Sequence, residues 1–238
     1  MDGTLTQWFY KYRKELSLRS SIKEFIQICI ETLPLSDPIY EFGSFLVPGQ
    51  EEMINLRSMF TDRDYVGADF RKGPGVDIVL DLHNIHLSDD VVGTVLLIDT
   101  IEHVEFVRKA INEVNRILKP NGILIMSSVM DFPIHGYPND YWRFTPLAFE
   151  SLLSPFESSF VSALGRKNFP HTLVGVGFKS ALPEDTMKVF LARTEAWSKQ
   201  WRWQIFFGWK ECIRRLLPPF ILEWYMDRCM TRAQKTKS

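Results

Sequence analysis

Four acids close successive short apolar runs in the first half of the chain: Glu41, Asp69, Asp81 and Asp99. Acids are poor strand formers, so their repeated placement there needs a reason. Each could cap the helix that follows it. Alternatively, all four could look onto one ligand, with Asp69 accepting two hydrogen bonds from ribose hydroxyls. For any one acid the two readings are balanced. For four in succession, a shared cleft is the better account. Gly43 and Ser44 follow Glu41 closely, and a glycine at that place lets the backbone turn tightly and approach a ligand. Leu82 stands directly after Asp81. Two histidines could serve as general bases towards a hydroxyl acceptor, His103 after Glu102 and His135 in the segment 131–146, with Asp99 and Asp140 behind them. Tyr141, Trp142 and Arg143 in that segment suit a polar, ring-shaped substrate. A Pro-rich lid in which Trp142 and Phe144 only pack is the plainer alternative. His83 and His86 form His-x-x-His, which a helix would place on one face. No third ligand is evident, and no metal is expected.

The elements that must position these residues can be read from the hydrophobic pattern. Pro38–Phe42, Tyr65–Ala68, Asp77–Leu80 and Val92–Ile98 read as strands. Gln50–Phe60 and Glu102–Leu118 read as helices, the second with Val104, Val107, Ala110, Ile111, Val114, Ile117 and Leu118 recurring at helical spacing. Pro120-Asn121-Gly122 is a turn signal, and Ile123–Val129 is a nearly continuous apolar strand of the kind covered on both faces. A short helix is expected after Pro146. Ser159–Leu164 and Thr172–Phe178 then come without a helix between them, as an antiparallel edge pair. The expected architecture is α/β: a Rossmann-like, mainly parallel sheet with helices on both faces, plus N- and C-terminal helical extensions. Residues 1–36 form the first extension, 37–195 the core and 196–238 a basic tail.

Composition narrows the function class. With 238 residues, 45% apolar and 24% charged, the chain can bury a core without disulfides, and it is neither disordered nor fibrous. Lys plus Arg is 28 against 29 acids, so the whole chain has no electrostatic bias towards nucleic acid. Three scattered cysteines and no apolar leader at the N-terminus point to a cytoplasmic protein. The tail departs from this average. It holds five of the seven tryptophans and nine Lys or Arg against three acids. Phe206, Phe207, Trp209, Ile213, Leu216 and Leu217 beside Lys210, Arg214 and Arg215 would make an amphipathic face for anionic membrane. Helical packing on the acidic core or on a second subunit is the plainer reading. The N-terminal helices are expected to cover the cleft or to form a homodimer.

The segments Glu41-Phe42-Gly43-Ser44, Tyr65–Asp69, Asp77–Asp81 and Asp99-Thr100-Ile101-Glu102-His103-Val104 resemble, in order and spacing, the motifs of class I S-adenosylmethionine-dependent methyltransferases. Asn115-Arg116-Ile117-Leu118-Lys119-Pro120-Asn121-Gly122 resembles their helix, turn and fifth strand, and the similarity covers about Pro38–Leu153. The resemblance implies S-adenosylmethionine as cofactor. It would place Glu41, Gly43 and Ser44 at its methionine side, Asp69 at the ribose, Asp81 and Leu82 at the adenine, and Asp99 at the methionine end and acceptor. One departure stands out: Phe45 and Val47 occupy the second and third glycine positions of the family's Gly-x-Gly-x-Gly loop. Asp140-Tyr141-Trp142-Arg143-Phe144-Thr145-Pro146 resembles segments of methyltransferases associated with glycan biosynthesis. The expectation is therefore methyl transfer to a small-molecule or glycan-like acceptor, at oxygen, because a hydroxyl is the acceptor that needs the bases named above. The rival is a binding or scaffold protein whose altered loop has lost the cofactor. An NAD oxidoreductase is disfavoured by the missing Gly-x-Gly-x-x-Gly fingerprint.

Overall fold

Among the described residues, seven strands form one sheet in the order β3-β2-β1-β4-β5-β7-β6. The computed structural model describes residues 18–47, 51, 55–132, 134–135 and 138–206. The strands are β1 (Ile39–Phe42), β2 (Tyr65–Asp69), β3 (Ile78–Val79), β4 (Val92–Ile98), β5 (Leu118–Val129), β6 (Ser158–Arg166) and β7 (Phe169–Phe178). The helices are α1 (Leu18–Thr32), α2 (Val107–Ile117), α3 (Pro146–Leu152) and α4 (Glu184–Phe206). β1 to β5 pair in parallel, and β7 is antiparallel to both β5 and β6. The expected edge pair is thus present, with the later strand of the two inserted against β5. Strand order reverses between β1 and β4, which opens a crevice beyond their carboxyl ends.

β4 shows why the sheet needs helices on both faces. Val95 and Leu97 pack on one side with Ala110, Ile111 and Val114 of α2 and Phe149 of α3. Leu96 and Ile98 pack on the other with Phe25 and Ile26 of α1 and Phe190 and Trp197 of α4. The two extensions therefore meet on one face of the sheet. The Trp197 indole donates to the Ser21 carbonyl at 2.8 Å, and its ring centroid lies 5.1 Å from that of Phe25. α4 runs through the 195/196 boundary, and Trp197 and Trp201 of the tail are core residues. That removes two tryptophans from any membrane-facing role. Trp209, Trp224 and the rest of 207–238, and residues 1–17, lie outside the described residues. Among the described residues, no helix is long and apolar enough to cross a membrane.

Four elements differ from expectation. The helix expected from Glu102 begins only at Val107; Ile101–His103 is a single 3-10 turn and Val104 is extended at φ −103 and ψ 116. The cause lies in the backbone acceptors. The Glu102 carbonyl takes the N–H groups of Tyr141 (2.9 Å) and Trp142 (3.2 Å), and the Val104 carbonyl takes the Trp142 indole at 2.9 Å. Acceptors that a helix would use are committed to the segment after β5. β3 shrinks to two residues, because Asp77 turns its carboxylate back to the Gly67 N–H at 2.7 Å. β5 starts at Leu118, with Pro120-Asn121-Gly122 looped out where Val92 pairs with Leu118 but Thr94 with Ile123. Of the helix expected over 50–60, residues 50 and 52–54 lie outside the described residues. Arg57–Met59 is a 3-10 turn.

Candidate active site

The crevice is lined by the segments that leave β1, β2 and β4. Gly43 is solvent-exposed, with φ +86, a conformation that side-chain-bearing residues rarely adopt. A Cβ there would lie 2.3 Å from the Thr100 hydroxyl oxygen, which donates to the Phe42 carbonyl at 3.0 Å and so ties the ends of β1 and β4 together. Ser44 is buried, and its hydroxyl donates to the Ala68 carbonyl at 3.2 Å. Glu41 is buried below the loop and accepts from the Tyr65 hydroxyl. Burial pushes its pKa up to about 7, against the Tyr65 hydrogen bond and the charges of Arg19 and Arg57, which pull it down.

Asp69 is 4% exposed at the end of β2. One oxygen accepts the Arg71 backbone N–H at 2.9 Å and its Nε at 3.1 Å; the other faces a guanidinium nitrogen at 3.4 Å. The Arg71 guanidinium also lies over the Phe45 ring, 4.4 Å from its centroid. The Phe45 ring is lodged against Gly73, where a Cβ would come within 2.2 Å of it. A glycine lost from the first loop is matched by a glycine required in the second, which explains how Phe45 is tolerated. Asp81 sits beyond β3 on a turn, not a helix, and accepts the His83 N–H and its Nδ1–H, each at 2.8 Å. The His83 Nε2 then accepts the Phe106 N–H at 3.2 Å. His83 is committed within the fold, and the pairing of His83 with His86 on one helix face does not occur. Neither Asp69 nor Asp81 caps a helix, since none follows; each carboxylate instead closes a local turn by holding the N–H two residues on. Leu82, beside Asp81, is buried in the core.

The β4 side is different. Asp99 has φ +46, a strained conformation for a non-glycine residue. Ser127 on β5 donates to its carboxylate at 2.7 Å, and Arg19 of α1 stands 3.5 Å from the other oxygen. Glu102 is 1% exposed and accepts from Ser128 at 2.8 Å. Burial, and then the neighbouring Asp99 charge, raise its pKa. His103 Nδ1 donates to the Asn139 carbonyl, and burial lowers its pKa. Its ring meets that of His135 edge to face, with centroids 4.9 Å apart. His135 Nδ1 lies 3.2 Å from Asp140. Asp140 is gripped by both terminal nitrogens of Arg143 at 2.5 and 2.7 Å, which holds its carboxyl down to about 2. Arg143 is therefore an internal partner of Asp140. Tyr141 and Trp142 are each 43% exposed. His103, His135, Asp99 and Asp140 do come together, although about 40 residues of sequence separate the first from the last. Sequence reasoning missed Arg19, Arg71 and the two serines of β5. Ser127 and Ser128 interrupt an apolar strand, and that was the available signal. Arg19 carries none.

A family model described as a methyltransferase domain matches residues 52–126. The chain has the class I S-adenosylmethionine-dependent methyltransferase fold. A methyltransferase from Thermotoga maritima, described as a possible histamine N-methyltransferase, superposes with a TM-score of 0.52 at 18% identity, covering 72% of this chain and 94% of its own. One from Archaeoglobus fulgidus gives 0.52 at 11% identity, covering 72% and 99%. No curated protein sequence matches the chain. The methyltransferase fold and domain imply S-adenosylmethionine as cofactor. The donor set fits it: an acid at the end of β2 for the ribose diol, exposed backbone at Gly43 and a second acid at Asp99. Arg71 holds one Asp69 oxygen by backbone, and only its long 3.4 Å side-chain contact need yield the other.

Proposed function

We propose that the protein transfers a methyl group from S-adenosylmethionine to a hydroxyl of a small-molecule or glycan-like acceptor. The observation that carries this reading is the gathering of Asp99, Glu102, His103 and His135 beside the switch point, under a segment presenting Tyr141 and Trp142. S-adenosylmethionine supplies an electrophilic methyl on a good leaving group, so the protein has chiefly to orient the acceptor and deal with its proton. Asp69 accepts from the ribose, Gly43 and Ser44 form the turn beneath the methionine portion, and Asp81 and Leu82 border the adenine side. Asp99, fixed by Ser127, orients the acceptor hydroxyl. His103, kept neutral by burial, can receive its proton, and His135 with Asp140 stands beside it. The half-exposed faces of Tyr141 and Trp142 suit stacking on a sugar ring.

The direct test supplies methyl-labelled S-adenosylmethionine with a panel of sugar, phenol and amine acceptors. Label should pass to a sugar hydroxyl, with S-adenosylhomocysteine in equal amount, and Asp99→Asn should lower turnover about 100-fold, the scale of a misplaced acceptor. Transfer only to amines would refute the oxygen reading. Cofactor binding without transfer to any acceptor would favour the scaffold alternative.

A further inference from the structure

One oxygen of Glu102 and one ring nitrogen from each of His103 and His135 lie within 4.8 Å of one another. We propose that these three residues hold a divalent first-row transition ion such as Zn2+ or Mn2+. The proposal deepens the acceptor half of the reading above, and rests on that reading only for the ion's role.

The support is the set of partners behind the ligands. A backbone carbonyl only accepts, so the contact of His103 Nδ1 with Asn139 puts the proton on Nδ1 and the lone pair on Nε2. The Asp140 carboxylate does the same to His135. A carboxylate or carbonyl behind each imidazole fixes tautomer and ring orientation, as outer partners of metal-bound histidines do. Ser128 donates to one oxygen of Glu102 and so fixes the carboxylate beside the two rings. The two N–H bonds from Tyr141 and Trp142 to the Glu102 carbonyl pin both segments together before any ion arrives. Two imidazoles and one carboxylate suit Zn2+, Mn2+ or Fe2+ better than Ca2+, and they leave coordination positions open.

Those positions suit two adjacent oxygens of a sugar diol. A hydroxyl bound there loses its proton to water. Its oxygen then forms the bond to the methyl carbon while the carbon–sulfur bond breaks, the electron pair staying on sulfur in S-adenosylhomocysteine. When the ion occupies the free-lone-pair nitrogen of His103, proton release to water replaces the transfer to His103 described above.

The test is calorimetry on the full chain after EDTA treatment and dialysis, with ZnCl2, MnCl2 and MgCl2 titrated separately. One ion per chain is expected with Zn2+ or Mn2+. Affinity should fall at least about tenfold in His135→Gln and in Glu102→Gln, and stay unchanged in the outlying His86→Ala. Glu102 is buried, so a folding defect in its variant would not count against the site; His135 is partly exposed and carries the test by itself. Absence of saturable binding, or equal binding in His135→Gln, overturns the site. S-adenosylmethionine binding and methyl transfer are measured in parallel with EDTA present. The ion site can then fail while the methyltransferase reading stands, and the reverse.

Discussion

The two halves of the crevice are built differently. On the β1–β2–β3 side, Asp69 and Asp81 pair with residues two positions on, Arg71 and His83, and Glu41 pairs with Tyr65 on the adjacent strand β2. Its loops are locked by close approach, with Leu46 N–H on the Pro74 carbonyl at 2.8 Å and Phe45 against Gly73. On the β4–β5 side the partners come from far along the chain. Arg19 reaches Asp99, Ser128 reaches Glu102, and the segment after β5 places His135 against His103. That side also holds a strained backbone at Asp99 and a buried acid beside another acid. Strain and like-charge proximity cost stability, and they persist where surrounding structure enforces them. On the function proposed above, the first half is a preformed mount and the second is where the chemistry is placed.

Breaking the mount should have the largest effect. Gly43→Val meets both an unfavourable φ and the Thr100 hydroxyl, so S-adenosylmethionine affinity should fall more than about 100-fold, given several kcal/mol of clash and strain. Calorimetry checks this, with circular dichroism to confirm folding. A mild loss would mean that the β1 turn does not shape the site.

Glu41 gives the next effect, on stability. Its folded pKa is about 7 against an ordinary 4.5. Between those values the folded chain binds more protons than the unfolded one, so stability falls as pH rises from about 4.5 to 7 and levels off above. Glu41→Gln should remove that slope and stabilise the protein above pH 7 by about 1–3 kcal/mol. Urea unfolding at about pH 5 and about pH 8, either side of that titration, measures it, and parallel curves for the two proteins would contradict the buried-acid account.

Arg71→Ala should have the smallest effect. If the guanidinium only rests on Asp69 and Phe45, cofactor affinity should change less than about threefold, in keeping with a partly exposed ion pair. A large loss would make Arg71 a ligand of the cofactor and erase part of the contrast between the halves.

The same contrast governs what could be read beforehand. Strand ends and the acids that close them are local features, and β1, β2 and β4 lie where the apolar runs place them. The β4–β5 side depends on contacts across 26 to 36 residues or more, which periodicity does not carry. The late start of α2 shows this. The Val104, Val107 and Ala110 spacing is helical, yet carbonyls of the first turn are taken by Tyr141 and Trp142. Likewise Trp197 and Trp201 look like interfacial residues in a cationic tail until α1 is seen packed against them.

Titration of S-adenosylmethionine into the full chain and into Asp69→Ala tests the central claim most directly. One site per chain is expected, weakened by about 1.5–3 kcal/mol in the variant, the value of a hydrogen bond to a charged group. Absence of binding to the unaltered protein, or equal affinity in the two, would contradict a cofactor seated at the end of β2.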